Sequence, residues 1–525
     1  MRTILVKILI QIKFLVRRFL KINAFSPDSV NFHYAFMSAS VPSGHPHAAT
    51  FESGARAMDA ALHTGDVSAY FANAADPLHA AFAAKAVIHS GPVGMPLMGE
   101  AAEKKLESLW DEPRSGKSLA YIHVPFCETR CLYCMFYQNP FKPEASHEFA
   151  DRLIKELQLW SDKKAQTTGL IHALYFGGGT PTCLAPADLK RILSAVKTYL
   201  PLANDCEITL EGRIHHFEDE KMEAALEGGV NRFSLGVQTL NSKVRQNVQR
   251  VDGRDAILRR LEKLCSYDNA AVVIDLIYGF PEQTMDVWED DLRTAASLLL
   301  DGVDCYQLNV FEKSPLAKYI SLGKLPAAAD TAMKADMFAK SVEILTASQW
   351  KRLSNNHWRR TNRERNIYNE LGKSACDCLA FGCGAGGRLA GYSFMMDRKL
   401  ADWSAGIDAG HKPVMVLSAP RPLWHMLRTI SSEMELGAIN LKRLAAEFKQ
   451  PVDTVANDVI EQWISAGLLT RCGDWLLQTV AGQFWHVTLA QLLVDIIANR
   501  LPAAQIKMPA GMPSLMGHPG HPHHG

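Results

Sequence analysis

The chain has 525 residues, 47% of them apolar and 21% charged, with 56 basic against 55 acidic side chains. That length leaves room for about three to four average domains, and the composition argues against wholesale disorder and a polytopic membrane protein. The charge balance gives no electrostatic case for nucleic acid, and an odd count of 11 cysteines favours a reducing cytoplasm over a secreted disulfide framework.

Residues 1–27 carry Arg2, Lys7, Lys13, Arg17, Arg18 and Lys21 and no acid, interleaved with Ile, Leu, Val and Phe at helical spacing. The charges interrupt the apolar run too often for a spanning helix, and no small-residue cleavage site follows. Two readings remain. One is a basic amphipathic helix making peripheral contact with anionic lipid; the other is an upstream start codon, with Met37 an alternative start. Residues 38–65 read as a Ser-, Pro-, His-, Gly- and Ala-rich linker, so 1–75 forms an N-terminal extension and 76–115 an arm.

From residue 116 a short apolar strand, a turn and an amphipathic helix repeat. Strands are expected at 119–125, 173–176, 207–210, 232–237, 272–278 and 306–310, and helices at 148–160, 188–200, 219–226, 256–264 and 287–300. This alternation implies right-handed crossovers and a parallel sheet, an α/β core built as a partial (β/α)6 barrel of the TIM type over 116–345. Chemistry in such barrels sits at the C-terminal strand ends. Residues 346–420, with a Gly-rich turn from Gly382 to Gly387, read as a segment facing substrate. Residues 421–500 read as a helical, winged-helix-like domain, with helices at 424–435, 441–449 and 455–466 before a hairpin at 468–478. Its helix before the hairpin lacks an Arg or Lys cluster, so a lid or scaffold is expected rather than a DNA-binding module. The Met-, His- and Pro-rich residues 501–525 read as a disordered, solvated tail.

The strongest chemical signal lies just past the first strand. His123-Val124-Pro125-Phe126-Cys127 is followed by Cys131 and Cys134, a C-x3-C-x2-C array. Three thiolates hold three irons of a [4Fe-4S] cluster and leave the fourth iron open, whereas structural zinc wants a further Cys or His nearby. Tyr121, Phe126, Tyr133, Phe136 and Tyr137 are expected to keep water off the thiols or simply to pack the core. One strand later comes Gly177-Gly178-Gly179-Thr180-Pro181-Thr182. Glycines there let backbone groups approach a ligand closely.

The combination Y-x-H-x-P-F-C-x3-C-x2-C followed by GGGTPT resembles the radical S-adenosylmethionine (AdoMet, SAM) superfamily, in the branch of the oxygen-independent coproporphyrinogen III oxidases, over about residues 116–490. The resemblance implies a [4Fe-4S] cluster on Cys127, Cys131 and Cys134, with AdoMet chelating the open iron through its amine and carboxylate. Tyr121, Gly178, Gly179, Thr180 and Glu211 would hold that AdoMet. Tyr133, Gln238, Arg250, Asp275 and, by backbone, Gly386 correspond to positions that hold a second AdoMet, the first four forming the catalytic set.

The stretches Glu211-Gly212-Arg213-Ile214-His215-His216-Phe217, Ile274-Asp275-Leu276-Ile277-Tyr278-Gly279 and Glu364-Arg365-Asn366-Ile367-Tyr368-Asn369 are similar to the anaerobic heme-utilisation methyltransferases of that superfamily, the anaerobilin synthases. This implies oxygen-independent heme degradation with two AdoMet molecules. A 5'-deoxyadenosyl radical from the first takes hydrogen from the methyl group of the second. The methylene radical adds to a porphyrin meso carbon, the macrocycle opens and iron is released. The implied partners are heme or a related tetrapyrrole and a low-potential electron donor such as a flavodoxin or reductase. The alternatives are a coproporphyrinogen III dehydrogenase, a class C methyltransferase or a heme-trafficking protein. The coproporphyrinogen oxidases carry Y-T-S-Y-P where this chain has His89-Ser90-Gly91-Pro92-Val93, and a heme-chaperone branch carries H-N-x-x-Y-W where this chain has Arg365-Asn366-Ile367-Tyr368-Asn369.

Three features stay open in the sequence. His215, His216 and His357 are either structural or contacts to heme iron or propionates. Cys376, Cys378 and Cys383 are spectator thiols rather than a second cluster, because their C-x-C-x4-C spacing fits no auxiliary pattern. Arg359, Arg360, Arg363 and Arg365 form either a propionate site or a solvated helix face.

Overall fold

The computed structural model describes residues 67–501 apart from Ile88 and Val93; the basic N-terminal stretch, the 38–65 linker and the Met/His tail lie outside the described residues. Six strands form the centre: β1 (Ser118–Val124), β2 (Ile171–Gly178), β3 (Leu202–Gly212), β4 (Arg232–Gln238), β5 (Ala271–Tyr278) and β6 (Gly302–Gln307). They lie side by side in sequence order, all parallel, with Tyr121 opposite Tyr175, Glu211 opposite Ser234 and Asp275 opposite Asp304. Since side chains alternate across a strand, those residues share one face of the sheet.

The helices between the strands bury one apolar stripe each. Pro143–Leu159 buries Phe149, Leu153 and Leu157, and Met285–Ser297 buries Trp288 and Leu292 after Thr284 caps its first turn through Val287 N–H. The sixth strand lies earlier than expected, over Gly302–Gln307. Asp301 and Asp304 hide it in the sequence, although both carboxylates are buried among polar partners.

The sheet runs on beyond this core to 13 strands. At one edge β7 (His357–Arg359) pairs antiparallel with β6. At the other, β8 (Asp377–Phe381) runs parallel to β1, and β9 (Gly386–Leu389), β10 (Tyr392–Met396) and β11 (Val414–Ala419) follow antiparallel. The chain therefore forms a mixed α/β sheet with a parallel centre and antiparallel flanks, with residues 377–419 supplying strands that periodicity had not revealed. Past it, the hairpin Leu469–Cys472 with Trp475–Gln478 joins the short strand Ala438–Ile439 in a three-stranded sheet beside helices Asn457–Ser465 and His486–Arg500. Among the described residues no helix is long and apolar enough to cross a membrane.

Candidate active site

The three thiols of the array lie on one loop at the C-terminal end of β1. Phe126–Cys127 pairs in parallel with Asn139–Pro140, and Phe141 N–H donates to Cys127 O at 2.9 Å, so the loop closes on itself. Its far side is anchored below: Leu132 N–H donates to Val248 O at 3.2 Å, and the Leu132 side chain packs with Val244, Val248, Phe280, Leu308 and Leu316. All three cysteines are free, with Cys127 and Cys131 buried and Cys134 half-buried. Burial opposes ionisation of Cys131, but the Arg250 and Arg213 guanidiniums outweigh it and hold the thiol below its ordinary value. Phe126 packs inward against Phe141 and Phe149, whereas Phe136 is 53% exposed and its N–H donates to Cys134 Sγ at 3.3 Å.

The glycine run sits against this loop. A Cβ on Gly178, whose φ is +114°, would lie 2.7 Å from the His123 ring, and one on Gly179 would lie 2.4 Å from Phe126 O. These glycines are therefore demanded by close approach of strand end and thiol loop. Thr180 Oγ1 donates to Cys127 Sγ at 3.4 Å. Tyr121 Oη and His123 Nδ1 lie 3.1 Å apart, leaving His123 Nε2 buried without a partner.

On the same face, Tyr175 stacks on Tyr121 at 6.3 Å and meets Tyr368 at 4.6 Å. Glu211 lies against this wall. Burial, then the Asp275 charge, push its carboxyl up to about 8, although the Tyr175 hydroxyl and Gly178 N–H bond to it. Burial and Asp304 push Asp275 up to about 7. Ser234 Oγ donates to Asp275 at 3.5 Å.

Gln238 ends β4 with φ +73°, a left-handed backbone costly for this residue type, and its Oε1 is buried without a partner. Two braces hold that turn. Asp291 accepts from Leu240 N–H at 2.7 Å and Thr239 Oγ1 at 2.6 Å, and Arg245 donates to Thr239 O at 3.0 Å. Arg250 Nη2 donates to Gly236 O at 2.8 Å. Its guanidinium is also bonded to Tyr133, which packs edge-on against Phe280 at 5.2 Å. Gly386 is exposed at the start of β9, just past the Gly382 turn that lies against His123 and the Gly384 turn that lies against Gln138.

A match to the Radical SAM superfamily model covers residues 121–295. The chain is 39% identical over 417 residues to anaerobilin synthase of Escherichia coli O157:H7, covering 77% of this chain and 91% of that protein.

This chain belongs to the anaerobilin synthase family of radical SAM enzymes.

It is also 24% identical over 392 residues to the heme chaperone HemW of Escherichia coli strain K12, covering 71% of this chain and 97% of that protein. The solved structure of coproporphyrinogen III oxidase (HemN) from Escherichia coli matches its fold with a TM-score of 0.66 at 20% identity, over 77% of this chain and 96% of that one.

The residues present fit the [4Fe-4S] cluster and AdoMet that membership implies. Three unbridged thiols share one braced loop, and the unpartnered atoms His123 Nε2, Gln238 Oε1 and Arg250 Nε are buried around it.

The other open residues part company. His357 is buried between Asp304, 2.8 Å from Nδ1, and Glu364, 3.1 Å from Nε2, while Glu364 also accepts from Arg232 Nε at 2.9 Å. It is thus committed to structure and closed to heme. The arginine stretch is neither a helix face nor near the thiols. Arg359 closes β7, and Arg360, Arg363 and Arg365 bond Leu298 O, Asp268 and Asp205 at the N-terminal ends of the strands. Cys376, Cys378 and Cys383 are free, and Cys378 bonds to Tyr368. Sequence reasoning missed Tyr175, Tyr368, Ser234 and Asp304. Tyr175 carried a signal: in Ala173-Leu174-Tyr175-Phe176 it is the polar-tipped residue two before Gly177, on the same face.

Proposed function

We propose that this chain opens the heme macrocycle without oxygen, attaching one carbon from a second AdoMet at a meso position and releasing the iron. The likeness to anaerobilin synthase along three quarters of the chain carries this reading. The aromatic sheet face, with the buried Glu211 and Asp275 carboxyls pushed up to about 8 and about 7, supports it, because a flat macrocycle and two sulfonium ligands need dry surroundings with adjustable negative charge.

Cys127, Cys131 and Cys134 would hold the cluster, which would supply a single low-potential electron for reductive cleavage of AdoMet. The residues of the chain do the positioning. Tyr121, the Gly178, Gly179 and Thr180 strand end and Glu211 would form one wall beside the thiols, where an AdoMet amine and adenosine would dock. Glu211 and Asp275 offer carboxylates to cationic ligand groups, losing their protons as those groups arrive. Tyr133, from the thiol loop itself, would form a second wall with Arg250 and Gln238, where Gln238 Oε1 is free to accept a bond and Arg250 offers charge to a second AdoMet's carboxylate. Gly386, having no side chain, leaves its strand open to ligand approach. A low-potential donor in a reducing cytoplasm completes the reading, and heme is taken as the tetrapyrrole.

The HemW relatives raise the reading of a carrier. Gln238→Ala and Arg250→Lys separate the two. The enzyme reading predicts full cluster content, continued 5'-deoxyadenosine formation and loss of methylated tetrapyrrole by at least about tenfold. Unchanged methylated product from both variants would refute the assignment of this wall. Heme that is bound and passed on intact by the parent protein would favour the carrier.

A further inference from the structure

Next to the thiol loop, and not used by the chemistry above, Glu128, His215 and His216 bring three ligand atoms within 4.8 Å of one another. Glu128 follows Cys127 directly, and the histidines follow the C-terminal end of β3. Arg213 bridges the two elements by donating to Thr129 O at 2.9 Å. His216 Nδ1 lies 3.0 Å from Glu128 Oε1, and His215 Nε2 lies 4.0 Å from Glu128 Oε2.

Two features go beyond proximity. Consecutive residues in extended chain point apart, yet these rings stack at 3.8 Å with 29° between planes, because His216 adopts φ +53°. The outer atom of His215 is also already committed. Its Nδ1 lies 3.2 Å from Asp252, which is fixed in turn by Arg260 at 3.4 Å, while Arg260 also donates to Ile214 O at 3.0 Å. A carboxylate on one ring nitrogen fixes the tautomer and leaves the other nitrogen's lone pair free, the arrangement found behind metal-bound histidine. Bonds of about 2.1 Å to three such ligands put the ligand atoms roughly 3–3.5 Å apart, within small side-chain movements of the observed spacing.

We infer that Glu128, His215 and His216 form a mononuclear site for a divalent first-row transition metal ion, with Asp252 as its positioning residue. Two imidazoles and one carboxylate suit borderline ions such as ferrous iron. His216 is exposed and Glu128 and His215 are half-buried, so the site opens to solvent beside the thiol loop. Where the heme-opening reading holds, the ferrous ion leaving the macrocycle is the ion it would take. Only that origin rests on the reading; the site itself does not.

The test uses the cluster-loaded protein in its oxidised state, which is diamagnetic, titrated anaerobically with Co(II) and followed by electron paramagnetic resonance of the high-spin ion. The expected result is one bound Co(II) per chain with couplings to two imidazole nitrogens. His216→Ala and Glu128→Gln should each weaken binding by about tenfold or more. His216→Ala should leave iron and sulfide content and 5'-deoxyadenosine formation unchanged. Unchanged Co(II) affinity in both variants, or nitrogen couplings absent from the bound ion, would overturn the proposal. Because no heme is present, failure of the ring-opening reading leaves this outcome unaffected.

Discussion

Glu211 lies where an arriving cation meets a carboxyl that still holds its proton. Burial and the Asp275 charge raise its pKa from 4.5 to about 8, so the folded protein binds that proton more tightly than the unfolded chain. Its contribution to stability is therefore present at low pH and is lost as pH rises from about 4.5 towards 8. Ligand-free protein should lose unfolding temperature across that window, and AdoMet binding at pH 7 should release protons. Calorimetry in two buffers of different ionisation heat measures the release; Glu211→Gln should flatten the first slope and cut the second signal. At this scale the thiols were legible because their spacing is a chemical signature in itself. Tyr175 and Asp304 were not, since a lone Tyr or Asp in a strand means nothing until the sheet puts it opposite Tyr121 or Asp275.

Two devices, one at a strand end and one between strands, hold the site's shape. A side chain at Gly178 would meet the His123 ring at 2.7 Å on a backbone of φ +114°. Gly178→Ala should therefore cost about 2 kcal/mol or more and lower cluster loading, measured by thermal unfolding and iron content. Behind Asp275, the Arg232, Glu364, His357 and Asp304 chain locks β4 to β6 and β7. Burial works against a charged His357, but Asp304 and Glu364 prevail and push it up to about 9. The stability it adds is complete below its ordinary 6.5 and is lost as pH rises through about 9. Glu364→Gln strands the buried Arg232 charge and should cost about 3–5 kcal/mol in denaturant unfolding, whereas an exposed pair such as Arg363 with Asp268 should cost under about 1 kcal/mol. The strand and helix alternation was legible through periodicity. β8 to β11 were not, because strands of four to six residues are too short to show a period, and β6 was displaced because the buried Asp301 and Asp304 look like solvent-facing residues.

Across the whole molecule, the N-terminal arm reaches the last helices. Trp463 Nε1 donates to Tyr70 O at 2.9 Å, Gln462 exchanges bonds with Ala72 at 2.7 and 2.8 Å, and Trp485 Nε1 donates to Leu78 O at 3.0 Å and packs edge-on against Phe82. Removing residues up to 82 would bare Trp463 and Trp485, which are fully buried. The truncated chain should unfold at lower temperature and bind an apolar dye while its thiol loop, rooted in β1, still takes up iron. This clasp pairs residues some 390 positions apart, a relation that no local pattern encodes.

The reaction to be tested is heme opening with a carbon from AdoMet. Its direct test is anaerobic turnover of the reduced, cluster-loaded protein with heme and methyl-deuterated AdoMet, followed by absorbance and mass analysis. The expected result is loss of the heme band, deuterium in 5'-deoxyadenosine, and a linear tetrapyrrole that carries the rest of the label on one added carbon. An intact heme band with unlabelled 5'-deoxyadenosine would contradict it.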